Sequence, residues 1–407
     1  MLTYKYTARD SATGKKISAE VQAASEQAAA KLLHEQGLAP IQITALVSSG
    51  TNPFSRFRNR IRARDKILFS RQLSTLINAG LPLLQSLRTV AGQTQNKALK
   101  IIIFQVITDV EAGSALSASL GKYPRVFNRI YVSLINAGEA SGTLDKSLER
   151  LAAQQEKDAE LISKVRGAMV YPIIVLVVMG AVVTFMMLQV MPQVEDLYKG
   201  LGSGASLPLI TRVLLSISKA MTKYWYVLLI AMGIGGFLLT RWARTLGGKR
   251  YIDKIKMKAP LIGPLFMKMY MARFARTGTT LVASGVPLIQ MLEITSDSIN
   301  NVHIERSLGR AIEKVKGGKA LSETLTGDRN FLELVPDMLR IGEQSGAIEQ
   351  MLDKTAVYYE KEVDNEVKTI STIIEPVLMI VLGVFAFIIV AAILLPVYSL
   401  AGKGISI

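Results

Sequence analysis

The chain has 407 residues, of which 50% are hydrophobic, with a formal net charge of +16 and a mean hydropathy of +0.31. This combination places it in the membrane class and predicts that apolar blocks alternate with strongly basic soluble blocks. It has no cysteine, so disulfides, thiolate metal sites and cysteine nucleophiles are excluded.

Residues 1–47 predict a small cytoplasmic ββαβ domain. Alternating side chains at Tyr4–Ala8 and Ile17–Val21, with turn residues between them, indicate a hairpin. An alanine-rich helix over Glu26–Gln36 and a third strand over Leu38–Ile43 complete the unit.

The rest of the chain divides by composition into bundles and spans. In order these are a linker (48–64), a first cytoplasmic helical bundle (65–166), a first transmembrane helix (168–191), an external loop (192–222), a second transmembrane helix (223–241), a second cytoplasmic helical bundle (242–371), a third transmembrane helix (372–397) and an external tail (398–407). We expect apolar residues at helical spacing to form the cores of both bundles.

An internal duplication relates the two bundles. Phe69–Leu87 returns without a gap as Phe274–Leu292, 205 residues later, and Gly138–Gly142 returns as Gly342–Gly346. So long a period excludes a solenoid of short repeats. It predicts two copies of one helical domain, each followed by a hydrophobic span.

Three apolar blocks are candidate spans. Ala168–Met191 and Pro376–Ala401 carry no charged residue over the roughly 20 residues that a spanning helix needs. Tyr224–Thr240 is shorter and contains glycines, so it also fits a buried soluble helix. We favour three spans, because a single duplicated span does not return the second domain to the side of the first.

Basic flanks predict the orientation. Lys164 and Arg166 precede the first span, and a run of lysines and arginines over 241–258 follows the second. By the positive-inside rule these flanks, and both bundles, are cytoplasmic, whereas the loop and the C-terminus are external. The start of the chain has no apolar signal region, which predicts a cytoplasmic N-terminus. Topology and anionic lipid explain the basic charge better than nucleic acid does.

Helix corners recur in both copies. A glycine followed two residues later by proline predicts a tight corner in which one helix ends and the next starts with proline in its first turn. The predicted structural corners are Gly80, Pro82, Gly138, Gly142, Gly285, Pro287, Gly342 and Gly346.

Three acidic residues are candidates for a functional role. Glu139 and Glu343 each follow a glycine of a Gly-Glu-x-Ser-Gly corner, where helix capping, a subunit contact and a cation site are all open interpretations. Glu375 stands at the cytoplasmic end of the third span, and its counterpart in the first copy is Tyr171. We favour an interfacial anchor or a helix–helix contact over proton transfer at Glu375.

Signals for catalysis are weak. The two histidines, His34 and His303, lie far apart in sequence, so neither a metal site nor a triad is expected. Gly247–Arg250 and Gly317–Ala320 lack the first glycine and the hydroxyl of a nucleotide-binding P-loop. We therefore predict no enzymatic activity and no cofactor.

The recurring motifs resemble one known family. Paired Phe-x-Arg…Leu-x-x-x-Gly-x-Pro-Leu segments begin at Phe69 and Phe274, and they accompany the Gly-Glu-x-Ser-Gly corners, two span-entry dipeptides ending in proline and a Tyr-x-Tyr-x-Ala-x-Asp hairpin. Together they are similar to the PilC/GspF family, the inner-membrane platform proteins of type IV pili and type II secretion systems. Ser18 departs from the glycine expected in the hairpin.

The resemblance implies a mainly α integral inner-membrane protein with three spans and two homologous cytoplasmic bundles of about six helices each. It also implies a platform role in type IV pilus assembly, with a hexameric ATPase in trans, pilin subunits and other inner-membrane assembly proteins as partners. A dimer or tetramer in the lipid bilayer is expected. A type II secretion platform that builds a pseudopilus is the alternative, and a transport or channel subunit is a more distant one, since the span interiors are almost wholly aliphatic.

The same resemblance suggests contact residues. For the ATPase they are Arg71, Glu139, Arg276 and Glu343, and for pilin they are Tyr171, Pro172, Glu375 and Pro376. Internal pairing of the two arginines with bundle carboxylates is the competing interpretation.

Overall fold

The protein is mainly helical. The computed structural model describes residues 2–10, 16–23, 30, 32–33, 37–45, 61–200 and 209–403. The chain divides into two compact units, Met1–Ala152 and Ala153–Ile407.

The N-terminal sheet has three antiparallel strands. They are β1 (Leu2–Asp10), β2 (Lys16–Ala23) and β3 (Leu38–Ala45), in the order β2-β1-β3. Tyr6 and Ala8 of β1 are buried with Leu33. The predicted hairpin and third strand are present, whereas most of the predicted helix at 26–36, His34 included, lies outside the described residues.

Six helices make up the first copy of the repeat. They are α1 (Ala63–Asn78), α2 (Leu83–Gln93), α3 (Lys97–Glu111), α4 (Leu116–Gly121), α5 (Arg129–Ser141) and α6 (Leu144–Phe185). Helix α6 starts in the first helical bundle and runs without a break into the first apolar block. Its length follows from a sequence with good helix formers and only one internal proline, Pro172.

The second copy repeats this order. Its helices are α10 (Gly263–Ala283), α11 (Leu288–Ile299), α12 (Val302–Lys316), α13 (Leu321–Leu325), α14 (Leu334–Ser345) and α15 (Ile348–Lys403). They correspond one by one to α1–α6. A further helix, α9 (Leu246–Lys258), precedes them.

The two cores use the same aromatic contact. Phe69 packs on Phe127 with ring centroids 5.9 Å apart, and Phe274 packs on Phe331 at 5.4 Å. Both Phe69 and Phe274 are almost fully buried. Each contact contributes apolar burial plus a specific ring–ring preference of about 1 kcal/mol, so the repeated phenylalanine marks the centre of each copy.

The candidate spans lie in three stretches of helix. Two helices, Leu144–Gln193 and Ile348–Ala391, are long and apolar enough to cross a membrane. A third span exists only if Arg212–Val227 and Leu229–Ala243, which are bent by 65°, count as one. The described part of the chain therefore contains two or three candidate spans.

The region predicted as an external loop, 192–222, is helical over its described parts. Helix α7 (Met191–Gly200) follows a π-helical segment, Met186–Val190, and α8 (Leu209–Ala243) begins well before the second apolar block. The backbone of α8 leaves helical geometry at Tyr224, where φ is −114° and ψ is 21°. These parts of the connection are helical because apolar residues continue through them at helical spacing.

Candidate functional site

The Gly-Glu-x-Ser-Gly corner of the first copy holds a neighbouring helix through a carboxylate. Glu139 Oε1 accepts a hydrogen bond from the backbone N–H of Leu116 at 2.5 Å, and Oε2 accepts one from the N–H of Ser117 at 2.9 Å. Both donors lie at the start of α4, where backbone N–H groups have no partner within the helix. Glu139 of α5 therefore fastens the start of α4.

The second copy repeats this arrangement, which we call the carboxylate clamp. Glu343 of α14 accepts a hydrogen bond from the N–H of Leu321 at 2.6 Å, and the Ser322 hydroxyl donates to its other oxygen. Because these oxygens already accept protein donors, helix capping describes both glutamates better than a cation site or an exposed contact does.

The two glycines of each corner have different structural roles. Gly142 and Gly346 have φ of +71°, the left-handed conformation that ends a helix and that glycine adopts at low cost. Gly138 and Gly342 instead permit close packing on the next helix. A Cβ at Gly138 would lie 2.6 Å from Oγ of Ser147, and one at Gly342 would lie 2.9 Å from the Cα of Ile348.

The glycine–proline corners are also duplicated. Gly80 has φ of +84° and Gly285 has φ of +80°. The N–H of Gly80 donates to the Ile77 carbonyl at 2.9 Å, and Val282 accepts the equivalent bond from Gly285. Pro82 and Pro287 occupy the N-cap positions of α2 and α11, one residue before the first turn in which we predicted them.

Arg276 is held inside the second unit. Its Nε and Nη2 donate to the two carboxylate oxygens of Glu360 at 2.7 and 3.0 Å, while Nη1 donates to Asp353 at 2.7 Å. Burial lowers the pKa of Arg276, but the hydrogen bonds and charges of these acids outweigh it and raise the pKa. Internal pairing, the competing interpretation, describes Arg276. Its counterpart Arg71 is half-buried on α1.

Further polar contacts join α6, α10 and α15, and we call this set the exit-helix ladder. Its pairs are Gln154 with Thr277 and Thr280, Asp158 with Arg273, Lys164 with Asp364, Lys268 with Glu362 and Glu366, and Arg276 with Asp353 and Glu360. In the pairs of Lys268 with Glu362 and Glu366 and of Arg276 with Glu360, every side chain is less than a third exposed. Removal of one partner there is destabilising, because it leaves a partly buried charge uncompensated. The ladder thus fixes how the two helices that continue into the apolar blocks pack on α10.

Lys268 pairs with two carboxylates of the ladder. Its ammonium lies 2.9 Å from Glu362 and 2.6 Å from Glu366, and its side chain is only 22% exposed. Burial lowers the pKa of Lys268, but the hydrogen bonds that its ammonium donates to both glutamates outweigh burial and raise the pKa. Lys268 therefore remains charged at physiological pH.

An apolar groove of about 450 Å³ lies between the membrane parts of α6 and α15. It is lined by Ile174, Val175, Val178, Met179, Val182, Val183, Met186, Leu382, Phe385, Ala386, Ile389 and Val390. All of these are aliphatic, aromatic or thioether side chains. The groove therefore suits an apolar occupant and offers no path for ions.

The predicted pilin-contact residues lie on the same two helices. Tyr171 is 57% exposed, and Pro172 beside it is buried. Glu375 and Pro376 of α15 are both exposed. Tyr171 stands four residues before Val175, so helical spacing puts it on the groove-lining face of α6.

A π-helical segment at Met186–Val190 follows the groove. Here the hydroxyl of Ser218 on α8 donates to the backbone carbonyl of Met187 at 2.5 Å, and Met187, Met191 and Leu215 form a small buried cluster. A side chain that inserts among the backbone hydrogen bonds of a helix is one of the few causes of a local distortion of that helix. This contact ties α8 to the end of the first candidate span.

Within the described residues no group of three histidine, cysteine or acidic side chains is arranged to hold a metal ion. His303 contacts the backbone carbonyl of Arg250 at 3.2 Å through Nε2. The candidate functional features of the described residues are thus the helix-capping carboxylate of each copy and, within the second unit, an ion-pair ladder and an apolar groove.

Sequence reasoning missed the π-segment and, apart from the alternative that Arg276 pairs with bundle carboxylates, the ladder. A signal for the ladder was present, since Asp353, Glu360 and Asp364 recur at helical spacing on α15. Their partners Arg276 and Lys164 lie far earlier in the chain, and no local pattern links them. No signal in the sequence indicates the role of Ser218.

These features define a membrane protein built from two copies of one helical domain, each of which continues into an apolar helix. A family model for type II secretion system protein F matches residues 69–192 and again 274–396, and the model of its N-terminal domain matches residues 1–44. The chain belongs to the type II secretion system protein F family.

Curated relatives cover nearly the whole chain. Type IV pilus assembly protein PilC of Thermus thermophilus is 39% identical over 407 residues, which is 99% of each chain. Type IV pilus assembly protein TapC of Aeromonas hydrophila is 35% identical over 95% of this chain and 93% of its own. Type II secretion system protein F of Pseudomonas aeruginosa is 33% identical over 98% of this chain and 99% of its own. The resemblance to the PilC/GspF family is confirmed.

Proposed function

We propose that this protein is an inner-membrane platform protein for type IV pilus assembly. The observation that carries the proposal is the 39% identity to a type IV pilus assembly protein over 99% of both chains, against 33% to a type II secretion protein F. A secretion platform that builds a pseudopilus is the second candidate, because relatives with that name match over the same length. We assign the chain no catalytic activity of its own.

The proposed topology has three spans at 168–191, 223–241 and 372–397. Both bundles, 65–166 and 242–371, are then cytoplasmic with the N-terminal domain and the 48–64 linker, and 192–222 and the tail at 398–407 are external. Basic residues before the first apolar block and after the second support this orientation. A third span also returns the second bundle to the side of the first.

We propose that a hexameric cytoplasmic ATPase acts on the two bundles. Arg71, Glu139, Arg276 and Glu343 were expected at this contact, and the internal bonds of the last three support an indirect role. In this proposal the clamps keep the corners rigid, so that the ATPase meets a surface of fixed shape.

The exit-helix ladder is the proposed route from the bundles to the spans. The ladder joins α10 to both helices that enter the apolar blocks, and several of its charges are less than a third exposed. In this proposal a displacement of α10 moves α6 and α15 as well, because the ladder leaves no flexible connection between the three helices.

Pilin subunits are the proposed cargo, with contacts at Tyr171, Pro172, Glu375 and Pro376 where the apolar segments begin. Other inner-membrane assembly proteins and a second copy of the chain, as a dimer or tetramer, complete the proposed assembly.

Two experiments test these proposals. The first measures ATP turnover of the assembly ATPase of the same cell with and without the purified, reconstituted platform, and an unchanged rate together with no binding would overturn the coupling. The second compares cells with and without the gene. Normal filaments with defective protein release after deletion would move the assignment to a secretion platform.

A further inference from the structure

An acidic residue, Glu375, precedes the groove-lining part of α15. Glu375 lies seven residues before Leu382, which puts it near the groove-lining face of α15 two turns away. Tyr171 occupies a comparable position on α6. The lining of the groove extends over Ile174–Met186, which corresponds to about 20 Å of helix.

Glu375 has no cation to balance it in the part of the chain that the structure describes. Its carboxylate is exposed, and the described residues supply it with neither a hydrogen bond nor an ion pair. The preceding basic residue, Lys368, is two turns earlier on the same helix. An acid at the end of an apolar helix is therefore a candidate for a charge pair with a partner.

We propose that the groove binds one apolar transmembrane helix of a partner subunit, and that Glu375 pairs with a positive charge at the corresponding end of that helix. The class of partner, a pilin-like subunit that is to be assembled, is taken from the proposed function, and the inference rests on that function. The apolar lining supplies contact along the length of the occupant, and Ala386 leaves room for its backbone to approach. The carboxylate fixes direction and depth, since only a cation at this level pairs with it.

The test uses designed peptides and the full chain in phosphatidylcholine vesicles. The probe is a leucine/alanine helix of about 22 residues, long enough to span the bilayer, with a photoactivatable residue at its centre. One version has a lysine at each end, so that either insertion direction presents a cation at the Glu375 level. Matched versions have glutamine or glutamate there.

Four variants of the chain separate the groove from the charge. Ala386→Phe fills the groove, whereas Val384→Phe adds the same ring on the same helix outside the groove lining. Glu375→Gln removes the charge at the groove, whereas Glu349→Gln removes an exposed charge near the start of α15.

We expect crosslinks in the groove-lining segments, and about fivefold more of them for the lysine peptide than for the glutamate peptide. Ala386→Phe should abolish these crosslinks, and Glu375→Gln should remove the lysine preference, while both control variants behave like the parent. Equal labelling by all three peptides, or an unchanged preference in Glu375→Gln, would overturn the role of Glu375. Crosslinks outside the groove, or their loss when phosphatidylethanolamine is added, would show that lipid occupies it.

A cellular readout separates this inference from the proposed function. Filaments that are lost on gene deletion but restored by Ala386→Phe would leave the platform role intact and overturn the groove as the docking site. Filaments that are unaffected by deletion would overturn the platform role, whatever the peptides do.

Discussion

Glu343 accepts a hydrogen bond from the backbone N–H of Leu321 at 2.6 Å, and this contact joins the end of α14 to the start of α13. Glu139 and Leu116 repeat it in the first copy. The glutamate of the Gly-Glu-x-Ser-Gly motif thus has a structural use in both copies, since it supplies the acceptor that a short helix lacks at its N-terminus.

Replacement of Glu343 by alanine is expected to lower the free energy of unfolding by about 1–2 kcal/mol, because two partly buried donors lose a charged acceptor. The measurement is thermal unfolding of the purified full-length protein. Glu349→Ala, at an exposed position with no hydrogen bond or ion pair among the described residues, serves as the control and should change little. Equal destabilisation by both variants would contradict the clamp.

The two kinds of helical glycine should respond in opposite directions to alanine. Gly342→Ala places a Cβ 2.9 Å from the Cα of Ile348, so we expect a loss of about 1–3 kcal/mol from overpacking. Gly309→Ala meets no atom within 4 Å on α12, and we expect a gain of about 0.5–1 kcal/mol in stability. Unfolding curves of both variants check this, and destabilisation by Gly309→Ala would be inconsistent with the packing described.

The bidentate pair of Arg276 and Glu360 should not tolerate lysine. We expect Arg276→Lys to cost about 1–2 kcal/mol and Arg276→Ala about 3 kcal/mol, since alanine leaves two partly buried acids without a partner. Arg306→Ala, at an exposed position on α12, is the matched control. A combined Arg276→Ala and Glu360→Ala variant should lose less than the sum of the single variants, and full additivity would argue against the pair.

Asp328 should make part of the stability depend on pH. Burial raises the pKa of this carboxyl, but hydrogen bonds from Asn330, Ser307 and Arg310 outweigh burial and lower the pKa below its usual value of 3.8. A lowered folded-state pKa stabilises the fold above pH 3.8, and the contribution disappears as the pH falls through the folded-state value. Asp328→Asn should therefore cost about 1 kcal/mol at pH 7, and this cost should shrink as the pH falls from 3.8 through the lowered folded-state pKa. A constant difference between parent and variant across this range would contradict the assignment.

The sequence predicts the repeat because the same helix-ending glycine motif occurs in both copies. Gly142 and Gly346 are local requirements of a helix end, so their positions are readable without a structure. The hairpin is readable for the same reason, since period-two alternation specifies a strand.

Contacts between residues that are distant in sequence could not be predicted from the sequence. The motif singles out Glu343, but its partner Leu321 lies 22 residues away, and the choice between capping and an exposed contact needs the geometry. For Arg276 the sequence leaves both a partner contact and internal pairing with bundle carboxylates open, because Glu360, which holds it inside the unit, lies 84 residues later. The groove depends on how α6 packs beside α15, which neither segment specifies alone.

The central claim is that this chain is a platform for pilus assembly, and the number of surface filaments per cell tests it most directly. Electron microscopy would count filaments on cells that lack the gene and on the same cells after the gene is restored. We predict that filaments disappear on deletion and return with the parent chain. Unchanged filament numbers in the deleted cells would contradict the account.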